Sequence, residues 1–245
     1  GSSSGIAPDC DDGANGSYGY WSDWSISPPV GTSCRDLWAA SFRVLQGRVA
    51  IAYTPWGFQG VLDLVRRDAS GTWLPATRLT TSLAGRPVVE LDAAGALHLA
   101  FSRTSVMGAT VDYLTDRTGA MVTETVGLGR FQDLTVDGDG VPHIILEGNG
   151  DYRPYHARRL AGGWQVTAFP LSAGLSASGA LFTQNGVVTF VHTDATGIRI
   201  DRFINDAWEV ERVTTGSGVT FLDAVPHGDD VVIAVTSGSS NIELF

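Results

Sequence analysis

Acidic and guanidinium side chains stand close to the start of several short apolar runs in this sequence. Arg35 and Asp36 precede the first run, Arg86 the second and Arg130 with Asp133 the third, while Asp223 lies in the last. Arginines brought together at one mouth would grip a carboxylate or sulfate as a fork. Asp36, Asp133 and Asp223 could serve as catalytic acid, base or nucleophile. The commoner use of such interleaved charges is to pair with one another.

A second set of polar and aromatic residues falls in the loops that follow the apolar runs. These are Trp56 and Phe58, then Arg103, then Glu147, Asn149 and Asp151, then His192 and Asp194. Aromatic faces beside Asn, Asp and Arg suit sugar rings, whose C–H faces stack while their hydroxyls hydrogen-bond. The competing reading folds Trp56 and Phe58 over their own strands as packing.

Other signals read as structure. His98 and His143 each follow an acid by six residues, Asp92 and Asp137. That repetition points to a turn-to-strand hydrogen bond. Asp137-Gly138-Asp139-Gly140 opens like a calcium loop, but Val141 and Gly148 occupy positions that need oxygen ligands, so no metal is expected. Outside the linker-like run Gly1-Ser2-Ser3-Ser4-Gly5 there is no Gly-x-Ser-x-Gly elbow, and there is no His-Glu-x-x-His pair. All sixteen basic residues are arginine, which excludes Schiff-base lysines and P-loops, and no cofactor is expected.

The elements that must position these residues come from a repeat. Turn glycines at Gly47, Gly95, Gly140 and Gly186 each open a β-branched apolar run, with Asp230 in the fifth place. Each run has a short strand before it and another after it. A fourth strand opens at Trp73, Met121, Trp164 or Trp208. Four antiparallel strands at a period in the mid-forties predict an all-β, five-bladed β-propeller. The blades span about 35–80, 86–126, 130–170, 177–214 and 219–245. The fifth is expected to lack its outer strand and to borrow residues 18–27, which closes the ring and protects an open edge. Residues 1–17 read as a flexible lead and 18–245 as one domain.

Composition narrows the partners. A net charge of −10 disfavours nucleic acid and anionic membrane. No apolar run is long enough for membrane insertion. Cys10 and Cys34 read as one disulfide of a secreted, cell-surface or periplasmic protein, with two free thiols as the alternative. Arginine without lysine, amid abundant Ala, Gly and Val, hints at a GC-rich bacterial source.

The Asp-x-x-Gly-x-x-His pattern (Asp92 to His98, Asp137 to His143) and the Gly71-Thr72-Trp73 run, partly repeated at Gly163-Trp164 and Ala207-Trp208, resemble repeats of secreted bacterial sialidase-like propellers. Asp68 to Trp73 is similar to an Asp-box, with its glycine one position late. The resemblance implies an arginine cluster, for which Arg35, Arg86 and Arg130 are the counterparts. Five-bladed glycosidases imply three inward acids, for which Asp36, Asp133 and Asp223 stand. The expectation is a lectin-like carbohydrate-binding propeller with one central site for a glycan or other small polar ligand. The alternatives are a glycoside hydrolase using two carboxylates, or a module that binds a protein partner.

Overall fold

The computed structural model describes residues 37–55, 60–83, 85–106, 108–169, 179–194, 197–212, 219–237 and 241–244. Among them the chain forms antiparallel strands and no helix. The first sheet holds β1 (Leu37–Leu45), β2 (Arg48–Pro55), β3 (Leu62–Arg67) and β4 (Thr77–Thr80). The second holds β5 (Val88–Leu91), β6 (Leu97–Ser105), β7 (Gly108–Thr115) and β8 (Val122–Leu128). The third holds β9 (Arg130–Val136), β10 (Pro142–Glu147), β11 (Pro154–Leu160) and β12 (Gly163–Ala168). The fourth holds β13 (Gly179–Gln184), β14 (Val187–Asp194), β15 (Gly197–Ile204) and β16 (Ala207–Arg212). The fifth has three strands among the described residues, β17 (Val219–His227), β18 (Asp230–Ser237) and β19 (Asn241–Leu244).

Every sheet is a meander, with strands hydrogen-bonded in chain order. Two-residue turns enforce this locally. Gln46-Gly47 and Asn185-Gly186 both carry positive φ at both positions, which matches the right-handed twist of the strands they join. In the fifth sheet the equivalent turn is Gly228-Asp229, because His227 pairs with Asp230. Asp229 rather than Asp230 therefore occupies the place of Gly47, a one-residue correction to the sequence alignment. Trp73 is also displaced from its expected role. It makes an isolated bridge to Arg67, and the fourth strand begins at Thr77.

Alternation along each second strand sends successive side chains into opposite neighbours. Leu97, Leu99 and Phe101 pack with Ala50, Ala52, Leu62 and Leu64 of the first sheet. Ala100, one residue out of phase, packs instead with Leu134 and Ile144 of the third. The same device joins the third sheet to the fourth through Ile145, Phe169 and Phe190. It joins the fourth to the fifth through Val191, Ile200 and Ile233. Val89, fully buried between the first two sheets, contributes roughly 2 kcal/mol of hydrophobic stabilisation by itself.

The two outer flanks of this succession differ from its joints. Phe42 lies opposite Ile51 at the rung that Val89, Leu134 and Leu181 occupy in the next three sheets. Those three are buried, whereas Phe42 is 52% exposed. Val44 on the first sheet and Val225 on the fifth are also about half exposed. The expected closing strand, residues 18–27, lies outside the described residues, as do Cys10 and Cys34.

Candidate functional site

The first strands of the sheets carry the charges that face one another. Arg43 on β1 donates from Nε to Glu90 Oε2 at 2.8 Å, and its second nitrogen reaches the other oxygen of the same carboxylate. This pairing, opposed by burial and reinforced by Asp133 and Asp223, raises the affinity of Arg43 for its proton. Charges from the second, third and fifth sheets therefore act on one guanidinium of the first.

Asp133 is the most perturbed of them. Its Oδ1 accepts from Leu134 N at 2.9 Å and its Oδ2 from Leu181 N, on the next sheet, at 2.7 Å. Burial pushes the carboxyl up to about 7, against the pull of those two N–H groups, and Glu90 adds to the rise. Ser41, at the same rung of the first sheet, accepts from Val89 N of the second at 3.0 Å. The position thus clips one sheet to the next. Asp133 has a structural task before any chemical one.

One edge of each sheet bears the loops between second and third strands. At this edge the structure reveals an element that the sequence reading passed over. Asp63 and Asp112 stand at one equivalent rung of the first two sheets, opposite Tyr53 and Phe101, and Asp201 of the fourth sheet, opposite Phe190, lies two residues nearer the tight turn. All three are buried. Asp63 takes a two-pronged bond from Arg78, with Nε at 2.9 Å and Nη2 at 3.2 Å. Asp112 accepts from Arg103 Nε at 2.6 Å and from Thr125 Oγ1 at 3.0 Å. Asp201 meets His192 Nε2 at 2.6 Å and Arg199 Nη2 at 3.1 Å. The signal was present as a lone acid inside each apolar third strand (Val61-Leu62-Asp63-Leu64-Val65 is one). A buried carboxylate in such a strand needs a cation over it.

The predicted site residues divide accordingly. Arg103 is partly exposed above Asp112. Arg130 pairs in register with Glu147 at the same edge. Asn149 is exposed and reaches the second sheet, where a Cβ on Gly108 would lie 2.2 Å from its Nδ2. Asp151 is exposed and held below its ordinary carboxyl range by the Tyr155 hydroxyl and then by Arg153 N. Arg86 and Asp223 are exposed. His192 is buried against Asp201, so its ring is withdrawn from the open edge. Arg35, Asp36, Trp56 and Phe58 lie outside the described residues, as does the side chain of Asp194.

Two buried relays complete the polar interior. His98 sits between Asp92 Oδ2, at 3.3 Å from Nε2, and the Tyr113 hydroxyl at Nδ1. His143 sits between Asp137 Oδ2, at 3.3 Å, and His156 Nε2, at 2.9 Å. With each Nε2–H donating to the carboxylate, Nδ1 must accept from Tyr113 or from His156. Burial lowers the proton affinity of all three histidines, that of His156 down to about 3. The relays have the order of a catalytic triad, but His98, His143 and His156 are 3% exposed or less. No substrate reaches them, and they serve as turn-to-strand bonds. Among the described residues no group of three or more His, Cys, Asp and Glu stands together as a metal site.

No protein-family model matches the chain, and no curated protein matches it. Solved structures do. The chain is similar to AofleA from Arthrobotrys oligospora, with 11% identity over 84% of this chain and 67% of that one, at a TM-score of 0.59. It is similar to the polysaccharide lyase Uly1, with 12% identity over 82% and 55% of the two chains, at 0.51. It is also similar to the β-propeller domain of the Trilobed protease from Pyrococcus furiosus, described as having an open velcro topology. There the identity is 12% over 85% and 67%, at 0.54. The sheets described above are thus arranged as propeller blades, and the likeness extends to the fold alone.

Proposed function

We propose that the protein is a secreted or cell-surface carbohydrate-binding propeller of five blades, closed by residues 18–27 beside β19 and tethered by Cys10 and Cys34. The glycan is held at the loop edge. The observation that carries this reading is the Arg103–Asp112 pair. A buried carboxylate fixes Nε of a guanidinium whose side chain remains 42% exposed. A donor fork held in place in this way suits vicinal sugar hydroxyls, because little side-chain freedom is left to lose on binding. Arg130, Glu147 and Asn149 lie along the same edge, and Trp56 and Phe58 would supply the stacking faces. That the fold is shared with a polysaccharide lyase supports a polysaccharide ligand. A glycan array probed with the whole chain and with Arg103→Ala tests it. Loss of at least tenfold in the variant is expected, and an unchanged binding pattern overturns the reading.

A second reading, glycoside hydrolysis, draws on Asp133. A carboxyl held to about 7 is poised to donate a proton at neutral pH. Asp223, exposed and acting on the same Arg43, would be its base or nucleophile. Reducing-sugar release that disappears in Asp133→Asn while array binding persists would favour it.

A further inference from the structure

We propose that the opposite edge, where the tight turns lie, carries a separate binding site for an acidic sugar residue in the groove between the first two sheets. Only the sugar character of its ligand rests on the glycan reading above. The groove encloses about 440 Å³ and is lined by Arg48, Arg66, Arg67 and Ser70 over Val49, Leu74, Leu91 and Leu97.

Its arginines are held unevenly. Arg48 Nη1 donates to Gly95 O at 2.9 Å, and a Cβ on Gly95 would lie 2.4 Å from that nitrogen. Glycine, at φ +79°, is what lets the side chain lie across the turn. Arg67 Nε donates to Gly71 O at 3.0 Å and lies over that glycine in the same way. Carbonyl oxygens orient these two cations without neutralising them. Arg66 is bonded to Asp116.

The third sheet provides an internal control. Arg158 and Arg159 occupy the rungs of Arg66 and Arg67. There Arg158 meets Asp206, and Arg159 meets both oxygens of Glu124. The first sheet gives Arg67 a carbonyl where the third gives Arg159 a carboxylate.

Two acids also line the groove, and neither removes the surplus. Asp116 Oδ2 is taken by Arg66 and its Oδ1 by Leu97 N. Asp68 Oδ1 accepts from Ser70 Oγ, Ser70 N and Thr72 N, bonds that close its own hairpin. Three guanidinium groups against two engaged carboxylates leave a positive site on a chain whose net charge is −10. Planar guanidinium groups favour carboxylate and sulfate. An apolar floor beside them suits the C–H face of a pyranose rather than a bare ion.

Calorimetric titration of the whole chain with sodium glucuronate, with glucose and sodium sulfate as controls, tests the assignment. Glucuronate should bind, glucose should not, and binding should weaken as salt is added. Arg48→Gln combined with Arg67→Gln should weaken it at least tenfold, while Arg103→Ala should leave it unchanged. Equal binding of glucose and glucuronate overturns the proposal, and so does sulfate binding as tightly as glucuronate, which would mark an anion site with no preference for sugar. Should the double variant fail to fold, loss of the salt dependence or of the preference over glucose in the native chain overturns it equally. Failure here with array binding intact at Arg103 leaves the loop-edge reading standing. Glucuronate binding with an empty array does the reverse.

Discussion

Asp133 and Asp223 occupy the same rung of two innermost strands, Asp133 opposite Ile145 and Asp223 opposite Ala234, and each turns Oδ1 back onto the N–H of its successor at 2.9 Å. The two acids share this backbone turn-back, and Asp133 adds a clip to Leu181 N on the next sheet. Ser41 is the neutral version of it on the first sheet.

The clip costs stability at neutral pH. The folded carboxyl of Asp133 keeps its proton up to about pH 7, whereas an unfolded aspartate releases it near 4. Between those values the folded state holds more protons, so this group's contribution to stability falls as pH rises. Asp133→Asn has no proton to lose and keeps one oxygen for Leu181 N. The variant should fall about 1 kcal/mol below the parent near pH 4, where it lacks one of two hydrogen bonds, and exceed it by roughly 3 kcal/mol at pH 8, where the parent has lost its proton. Urea unfolding across that range measures it. A difference that does not grow with pH would remove burial as the cause.

The histidine relay acts with the opposite sign. His156 resists protonation in the fold down to about pH 3, while the unfolded side chain takes a proton near 6.5. Between these values the unfolded state holds more protons, so stability is complete above 6.5 and is lost as the pH falls. The loss from this group approaches roughly 4 kcal/mol by pH 3, and His98 and His143 add to it. Tyr113 holds the same place in the second sheet. His156→Tyr should therefore fold and shift the acid midpoint of unfolding to lower pH. An unmoved midpoint would show that the relay does not set acid sensitivity.

The same comparison of sheets exposes an unmet bond. Trp164 packs edge-on against Tyr113, ring centroids 5.0 Å apart, and donates from Nε1 to Glu124 at 2.9 Å. Trp208 packs in the same manner on His156, also at 5.0 Å, but its buried Nε1 finds no acceptor among the described residues. Thr167 faces His156 at the rung where Glu124 faces Tyr113. Thr167→Gln places an acceptor there and should stabilise the protein by about 1 kcal/mol. Thermal melting checks this, and a lower melting temperature would mean that Trp208 is already satisfied.

What the sequence reveals and what it hides divide along contact distance. The turns at Gln46-Gly47 and Asn185-Gly186 are local, and the strands they join were legible from glycine spacing and apolar runs alone. Asp92 and Asp137 reach His98 and His143 within six residues, so their role was legible too. Asp133 was not, because its decisive partner is Leu181, one whole repeat away on another sheet. Nor were the three acids that hold Arg78, Arg103 and Arg199. Whether an arginine covers a given strand acid depends on the register between hairpins, and one extra loop residue turns a side chain to the other face.

The exposed flank at Phe42 gives closure a direct test. If residues 18–27 complete the last sheet and draw it against the first, Phe42, Val44 and Val225 come to lie in a fifth joint like the four already described. Phe42→Asp would then bury a charge in an apolar joint and should cost at least about 2 kcal/mol in urea unfolding of the whole chain. Val210→Asp, at a position that is 51% exposed on β16, should cost less than about 0.5 kcal/mol. Equal, small effects at both positions would mean that the flank stays open to solvent and that the ring is not closed in this way.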